Sequence, residues 1–185
     1  VRCRQHPTGQ SGTIIMKRLI TLLLSLGVMA QLSAQECLTN AVESTPDEEF
    51  SPFVTGTVLH IPTGLIWQRC AVGQTWTGET CSGEAEQLTW QQALVYARDY
   101  DAELLEGWRV PNVKELASLT EKNCVRPSVN TAFFPATPQD SFWSSTPSLN
   151  DPERVWTVAF FNASYSIKEK QRAVYLRLVR TNLLE

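Results

Sequence analysis

Apolar and polar positions first alternate with a period of two, then at helical spacing, then with a period of two again. Thr55 to Ile61 is β-branched and alternating, Pro62-Thr63-Gly64 reads as a turn, and Leu65-Ile66-Trp67-Gln68-Arg69 resumes as a second strand, predicting a hairpin. Thr89 with Gln92 three residues on predicts a capped helix whose buried stripe is Trp90, Ala93, Leu94, Ala97 and Tyr100. Asn112 with Glu115 forms a second capping-box pattern behind Pro111. Val113, Leu116, Ala117 and Leu119 then give a second helix an apolar face, ending by Asn123. From Val125 to Ser148 the prolines at 127, 135, 138 and 147 predict mostly loop around the aromatic clusters Phe133-Phe134 and Phe142-Trp143. Val155 to Phe161, Ser164 to Lys168 and Val174 to Arg180 read as strands, the last inside the sheet. Lys168 to Arg172 is expected at a charged hairpin tip. Two helices packed on an antiparallel sheet make an α+β domain.

The chain ahead of this pattern is of another kind. Met16-Lys17-Arg18 followed by the apolar run Leu19 to Met29 reads as a signal peptide, too short to span a bilayer. Cleavage is expected after Ala34, with Ala30 the other candidate. Residues 1–15 read as an upstream over-extension and 16–34 as the leader. Residues 35–53 read as an extended or loosely ordered acidic segment, and 54–181 as the folded domain. The expected product is exported, periplasmic or extracellular, and not inserted in a membrane.

Export changes both charge and cysteine arithmetic. Residues 1–34 carry four of the 16 basic residues and none of the 19 acidic ones, so 12 basic residues remain and the net charge falls to −7. That balance disfavours nucleic acid and anionic lipid as partners. Cys37, Cys70, Cys81 and Cys124 remain, an even number that reads as two disulfides in an oxidising compartment. Of three pairings, the favoured one joins Cys70 to Cys81 across a short loop and Cys37 to Cys124, stapling the N-terminal segment to the end of the second helix. A zinc site would need a tighter cysteine pair or nearby histidines, and His60 is the one histidine after the leader. No metal or cofactor is expected.

Five ordered blocks carry a resemblance: Thr63-Gly64-Leu65-Ile66-Trp67-Gln68, Thr89-Trp90-Gln91-Gln92-Ala93, Trp108-Arg109-Val110-Pro111-Asn112-Val113-Lys114-Glu115-Leu116, Phe142-Trp143-Ser144-Ser145 and Arg177-Leu178-Val179-Arg180. Together they resemble the bacterial family typified by the C-terminal domain of the Legionella collagen-like adhesin. That family is itself similar to the C-type-lectin-like fold group, which includes the formylglycine-generating enzymes. The resemblance implies a C-type-lectin-like exported domain with glycan or glycosaminoglycan adhesion, but the namesake's collagen-like stalk is absent. Neither the Glu-Pro-Asn nor the Gln-Pro-Asp triplet of calcium-dependent lectins occurs, so calcium-mediated sugar binding is not expected.

The residues themselves favour structural roles for the blocks. Arg109 is expected to be half-buried and paired with loop carbonyls or with Glu115. Trp143 is expected in the core, with the Ser144 and Ser145 hydroxyls on turning backbone. Arg177 and Arg180 have opposite strand parity, which predicts one core-edge ion pair and one solvated end. The candidate ligand residues are Trp76, an aromatic in the disulfide loop suited to stacking on a sugar, and Lys168, Lys170 and Arg172. These three are the densest basic group in an acidic chain, although a charged edge that blocks aggregation explains them too. A non-catalytic glycan-binding module leads, with a structural or accessory subunit of a surface appendage or secretion apparatus as the alternative. An oxidoreductase like the formylglycine-generating enzymes would require a reactive cysteine pair binding copper, whereas these cysteines read as disulfides.

Overall fold

The computed structural model describes residues 34–182; the expected over-extension and, but for Ala34, the expected leader lie outside them. The elements in chain order are β1 (Glu36–Cys37), a short 3₁₀ turn (Asp47–Glu49), β2 (Phe50–Pro52), β3 (Thr57–His60), β4 (Leu65–Gln68), β5 (Thr75–Trp76), β6 (Cys81–Ser82) and β7 (Gln87–Leu88). Helices α1 (Trp90–Leu104) and α2 (Val113–Ala117) follow. Then come β8 (Cys124–Val125), β9 (Ser141–Pro147), β10 (Arg154–Ala159), β11 (Ser164–Glu169), β12 (Val174–Tyr175) and β13 (Val179–Thr181). The domain is mostly β-sheet with one long helix. A five-stranded sheet runs β11-β10-β9-β12-β7 and a four-stranded sheet β13-β4-β3-β2, while β1-β8 and β5-β6 are two-stranded ribbons. All pairs are antiparallel except β12 with β9.

The core lies on both faces of the five-stranded sheet. Ala93 and Ala97 of α1 pack with Trp143 and Val155, and Leu116 of α2 packs with Phe142 and Val158. Both predicted capping boxes form: Thr89 Oγ1 accepts from the Gln92 N–H, and Asn112 Oδ1 accepts from Lys114 and Glu115. The predicted hairpin is β3–β4, with Val58 opposite Trp67. Both favoured disulfides, Cys37–Cys124 and Cys70–Cys81, are present.

Several expectations are corrected. The second helix stops at Ala117, because the Ser118 and Thr120 hydroxyls donate to the Glu115 and Ala117 carbonyls and close the chain into turns. Cys124 therefore sits on β8 rather than at a helix end. The stretch read as loop contains β9, a seven-residue strand inside the large sheet; its proline, Pro147, is the last residue, where a missing N–H is tolerated. Val174 to Arg180 is two strands, β12 and β13, in different sheets. The tip between β10 and β11 is formed by residues 160–163, and Lys170 to Arg172 turn the chain toward β12 instead. On α1, Leu94 is exposed and Tyr96 half-buried. Within the Cys70–Cys81 loop, Ala71 and Val72 are buried.

Residues 35–53 are ordered by specific contacts. The buried Glu121 carboxylate accepts from the N–H and hydroxyl of both Ser44 and Thr45, and β2 joins the four-stranded sheet by pairing with β3. His60 seals this junction. Its ring stacks on Phe50 at 5.0 Å, Nδ1 lies 2.8 Å from Thr63 Oγ1, and Nε2 lies 3.6 Å from a Glu49 oxygen. Burial holds the imidazole below its ordinary 6.5, outweighing the opposing pull of Glu49. The folded state thus resists a proton that the unfolded chain accepts. Its stabilising share is intact above about pH 6.5 and is lost as pH falls. Thermal midpoints are expected to drop between about pH 7.5 and 5.5, and to drop less in His60→Gln.

Candidate functional site

The Trp108–Leu116 stretch is a junction between elements. Arg109 exchanges backbone hydrogen bonds with Val179 at 2.9 and 3.0 Å, placing it against β13. Its guanidinium grips Glu115 in a two-pronged pair, Nη1 to Oε2 at 2.8 Å and Nη2 to Oε1 at 2.7 Å. Glu115 Oε2 also accepts from the Asn112 N–H at 2.7 Å, so one carboxylate completes the cap and holds the arginine. Burial raises the Glu115 pKa, but the bonds from Arg109 and Asn112 outweigh it and leave the carboxyl below its usual range; the Glu115 bond raises that of Arg109. Pro111 O accepts from Ser145 N at 2.7 Å and Thr146 Oγ1 from Val113 N at 3.0 Å, tying the junction to β9.

The other signature residues extend this frame. Trp67 and Trp143 are fully buried; Trp143 Nε1 donates to Leu88 O at 2.7 Å, and Trp90 Nε1 to Ser144 O at 3.0 Å. Ser144 Oγ donates to Trp156 O, a carbonyl of the neighbouring strand rather than of a turn. Arg180 lies over the Trp108 ring at 5.4 Å and 3.5 Å from Glu106, which makes it the ion-paired arginine. Arg177 is the correction to the parity reading: it is fully buried, with no carboxylate among the described residues within ion-pair distance.

The candidate ligand residues separate into two places. Trp76 is half-buried beside the Cys70–Cys81 bridge, with the Arg69 guanidinium 3.9 Å above its ring. A Cβ at Gly56 (φ 81°) would come within 2.7 Å of Trp76 Cβ and Cγ, so only glycine allows the indole this position. Arg69 is itself fixed by donating to the Phe133 and Ala132 carbonyls. Next to the clamped indole lies a cavity of about 380 Å³ where Trp76, Tyr96 and Tyr100 meet Thr55, Gln68 and Gln74. Lys168 and Arg172 line a smaller cavity of about 200 Å³ with Asp140, Ser141 and Gln87. Lys170 does not join them: its ammonium lies 4.8 Å from the Trp90 ring and its carbonyl accepts from Trp90 N.

Sequence reasoning missed an exposed apolar stripe. Trp156 (37% exposed), Tyr165 (50%) and Ile167 (37%) lie on one face of the β10–β11 ribbon, with Trp156 directly opposite Ile167, and Phe161 (40%) is exposed at the ribbon's tip. The alternation of β11, with tyrosine and isoleucine alternating with serine and lysine, was the available signal. Trp156 escaped it because a bulge between β9 and β10 falls at this residue.

These features define a β-rich domain held by two disulfides, consistent with an exported protein; no helix among the described residues is long and apolar enough to cross a membrane. The Lcl C-terminal domain family matches residues 56–180, and the chain belongs to that family. The chain matches no curated protein.

Proposed function

We propose that this domain is an exported, non-catalytic glycan-binding module of C-type-lectin-like type, acting in the periplasm or at the cell surface. The observation that supports it is the 380 Å³ cavity beside Trp76, where aromatic rings meet threonine hydroxyls and glutamine amides. Sugars present apolar ring faces edged by hydroxyls, and that mixed lining suits them. The Lys168–Arg172 cavity would add a contact for a uronate or sulfate. The four cysteines of the described chain are consumed as disulfides, which argues against an oxidoreductase that needs thiolates.

The test is a glycan array, followed by titration of the hits at two salt concentrations. Trp76→Ala is expected to weaken binding about tenfold or more, in the range of a lost stacking contact. Lys168→Ala with Arg172→Ala should weaken acidic glycans alone and flatten their salt dependence, while Lys170→Ala should leave affinity unchanged. No glycan bound, or binding indifferent to both Trp76 and the basic pair, would overturn the proposal.

A further inference from the structure

We propose that β11 is the pairing edge for a second copy of this chain, joining two five-stranded sheets into one. β11 ends the sheet, and its register with β10 runs unbroken from Arg154 opposite Glu169 to Ala159 opposite Ser164. It therefore offers six residues of flat edge without proline or bulge, the devices that usually protect such edges. Its cations do not guard it either: Lys168 belongs to the wall of the small cavity on the face opposite Tyr165 and Ile167, and Lys170 is spent on Trp90.

The pattern along the strand selects the occupant. A sheet continued across a two-fold axis needs residues facing each other to lie on the same face, so the axis must pass through a residue. Centred on Ser166, the antiparallel pairing sets Tyr165 opposite Ile167 of the second copy, and Ile167 opposite its Tyr165. Lys168 then meets Ser164 and Glu169 runs past the pairing beside the tip, so no like charges face each other. Trp156, opposite Ile167 within each chain, widens the apolar stripe on both sides. The charges flanking the edge are already paired within each chain, Arg126 with Glu36 at 2.8 Å and Glu169 with Arg154 at 3.4 Å, so neither opposes the approach of a second copy. An unrelated strand would need this symmetric pattern by coincidence, whereas a second copy supplies it by construction. Because one strand and a few aromatics bury less than the ~1,200 Å² of a standard stable interface, the dimer should dissociate in the micromolar range or weaker.

The experiment is sedimentation velocity on the oxidised full chain from about 1 μM to 1 mM, with Ile167→Lys alongside. A reversible monomer–dimer transition is expected, weakened at least about tenfold in Ile167→Lys, whose near-ultraviolet dichroism should match the parent. Cysteine placed at 166 reports the register: facing Cα atoms in an antiparallel pair stand about 4.5–5.5 Å apart, within disulfide reach. Ser166→Cys should therefore cross-link two copies on mild oxidation, and Ser164→Cys should not. A protein monomeric throughout, a dimer untouched by Ile167→Lys, or equal cross-linking at both positions would overturn the proposal.

Discussion

Arg177→Ala is expected to destabilise the domain by about 4 kcal/mol, read as a fall in the urea midpoint at constant m-value. The guanidinium has no solvent exposure, and burial pushes its pKa down to about 9, still leaving it charged at neutral pH. In place of a carboxylate it donates to Gln68 O and Thr137 Oγ1, each at 2.8 Å, and to Arg69 O. The Phe134 and Phe142 rings lie 4.9 and 5.7 Å from Cζ. Carbonyl dipoles and aromatic faces thus take the place of a counter-ion. Alanine strips these acceptors of their donor and leaves a void between the two rings. Methionine fills the void but donates nothing, so Arg177→Met should lose about 2 kcal/mol. The difference between the two substitutions measures packing, and the methionine loss measures the hydrogen bonds net of the relieved charge. An alanine loss under about 1 kcal/mol would mean that this arginine is not a keystone.

That arginine also marks where the sequence stops being informative. What was legible is local or chemically forced. The capping boxes at Thr89 and Asn112 join residues three apart, the β3–β4 hairpin turns through Pro62-Thr63-Gly64, and Arg109 reaches Glu115 six residues on. The cysteine pairing followed from loop length and an even count. What was hidden depends on distant partners. Val174 to Arg180 reads as one strand because each residue suits a strand; the break at Arg177 is set by carbonyls of Gln68 and Arg69, more than a hundred residues earlier. β9 is buried on both faces, its Phe142 entering one core cluster and its Trp143 the other, so it shows no alternation for a period-two reading to find. The acidic segment at 35–53 looked loose because its organiser, Glu121, lies 76 residues from Thr45. The ligand candidates show the same limit. Sequence could nominate Trp76 as an aromatic in a loop, but Arg69 over its ring and Gly56 beneath its Cβ are tertiary facts.

Removing the Cys37–Cys124 bridge by double alanine substitution should cost more than removing Cys70–Cys81, and the order is the informative part. The two bridges span 87 and 11 residues. Loop-closure entropy in the unfolded chain then assigns them about 4.6 and about 2.8 kcal/mol. Packing pulls the other way, because both Cys70 and Cys81 are buried whereas Cys37 is exposed. Deleting the shorter bridge also removes sulfur from the wall behind the Trp76 cavity. The longer bridge has support that survives its loss: Glu121 still binds Ser44 and Thr45, and the Gln35 amide still donates to Pro127 O and Val129 O. Those bonds keep residues 35–53 in place in the folded state, so the missing bridge acts chiefly through the freed unfolded chain. The double variant should therefore lose about 4 kcal/mol in urea unfolding while its native near-ultraviolet spectrum stays unchanged. Glu121→Gln in the same background would weaken the second tether, since its carboxylate is held below its usual pKa by those bonds against the opposing effect of burial. A native spectrum that changes with the bridge alone would show that the disulfide, not Glu121, positions the segment. A smaller loss at Cys37–Cys124 than at Cys70–Cys81 would show that buried sulfur outweighs chain entropy in this fold.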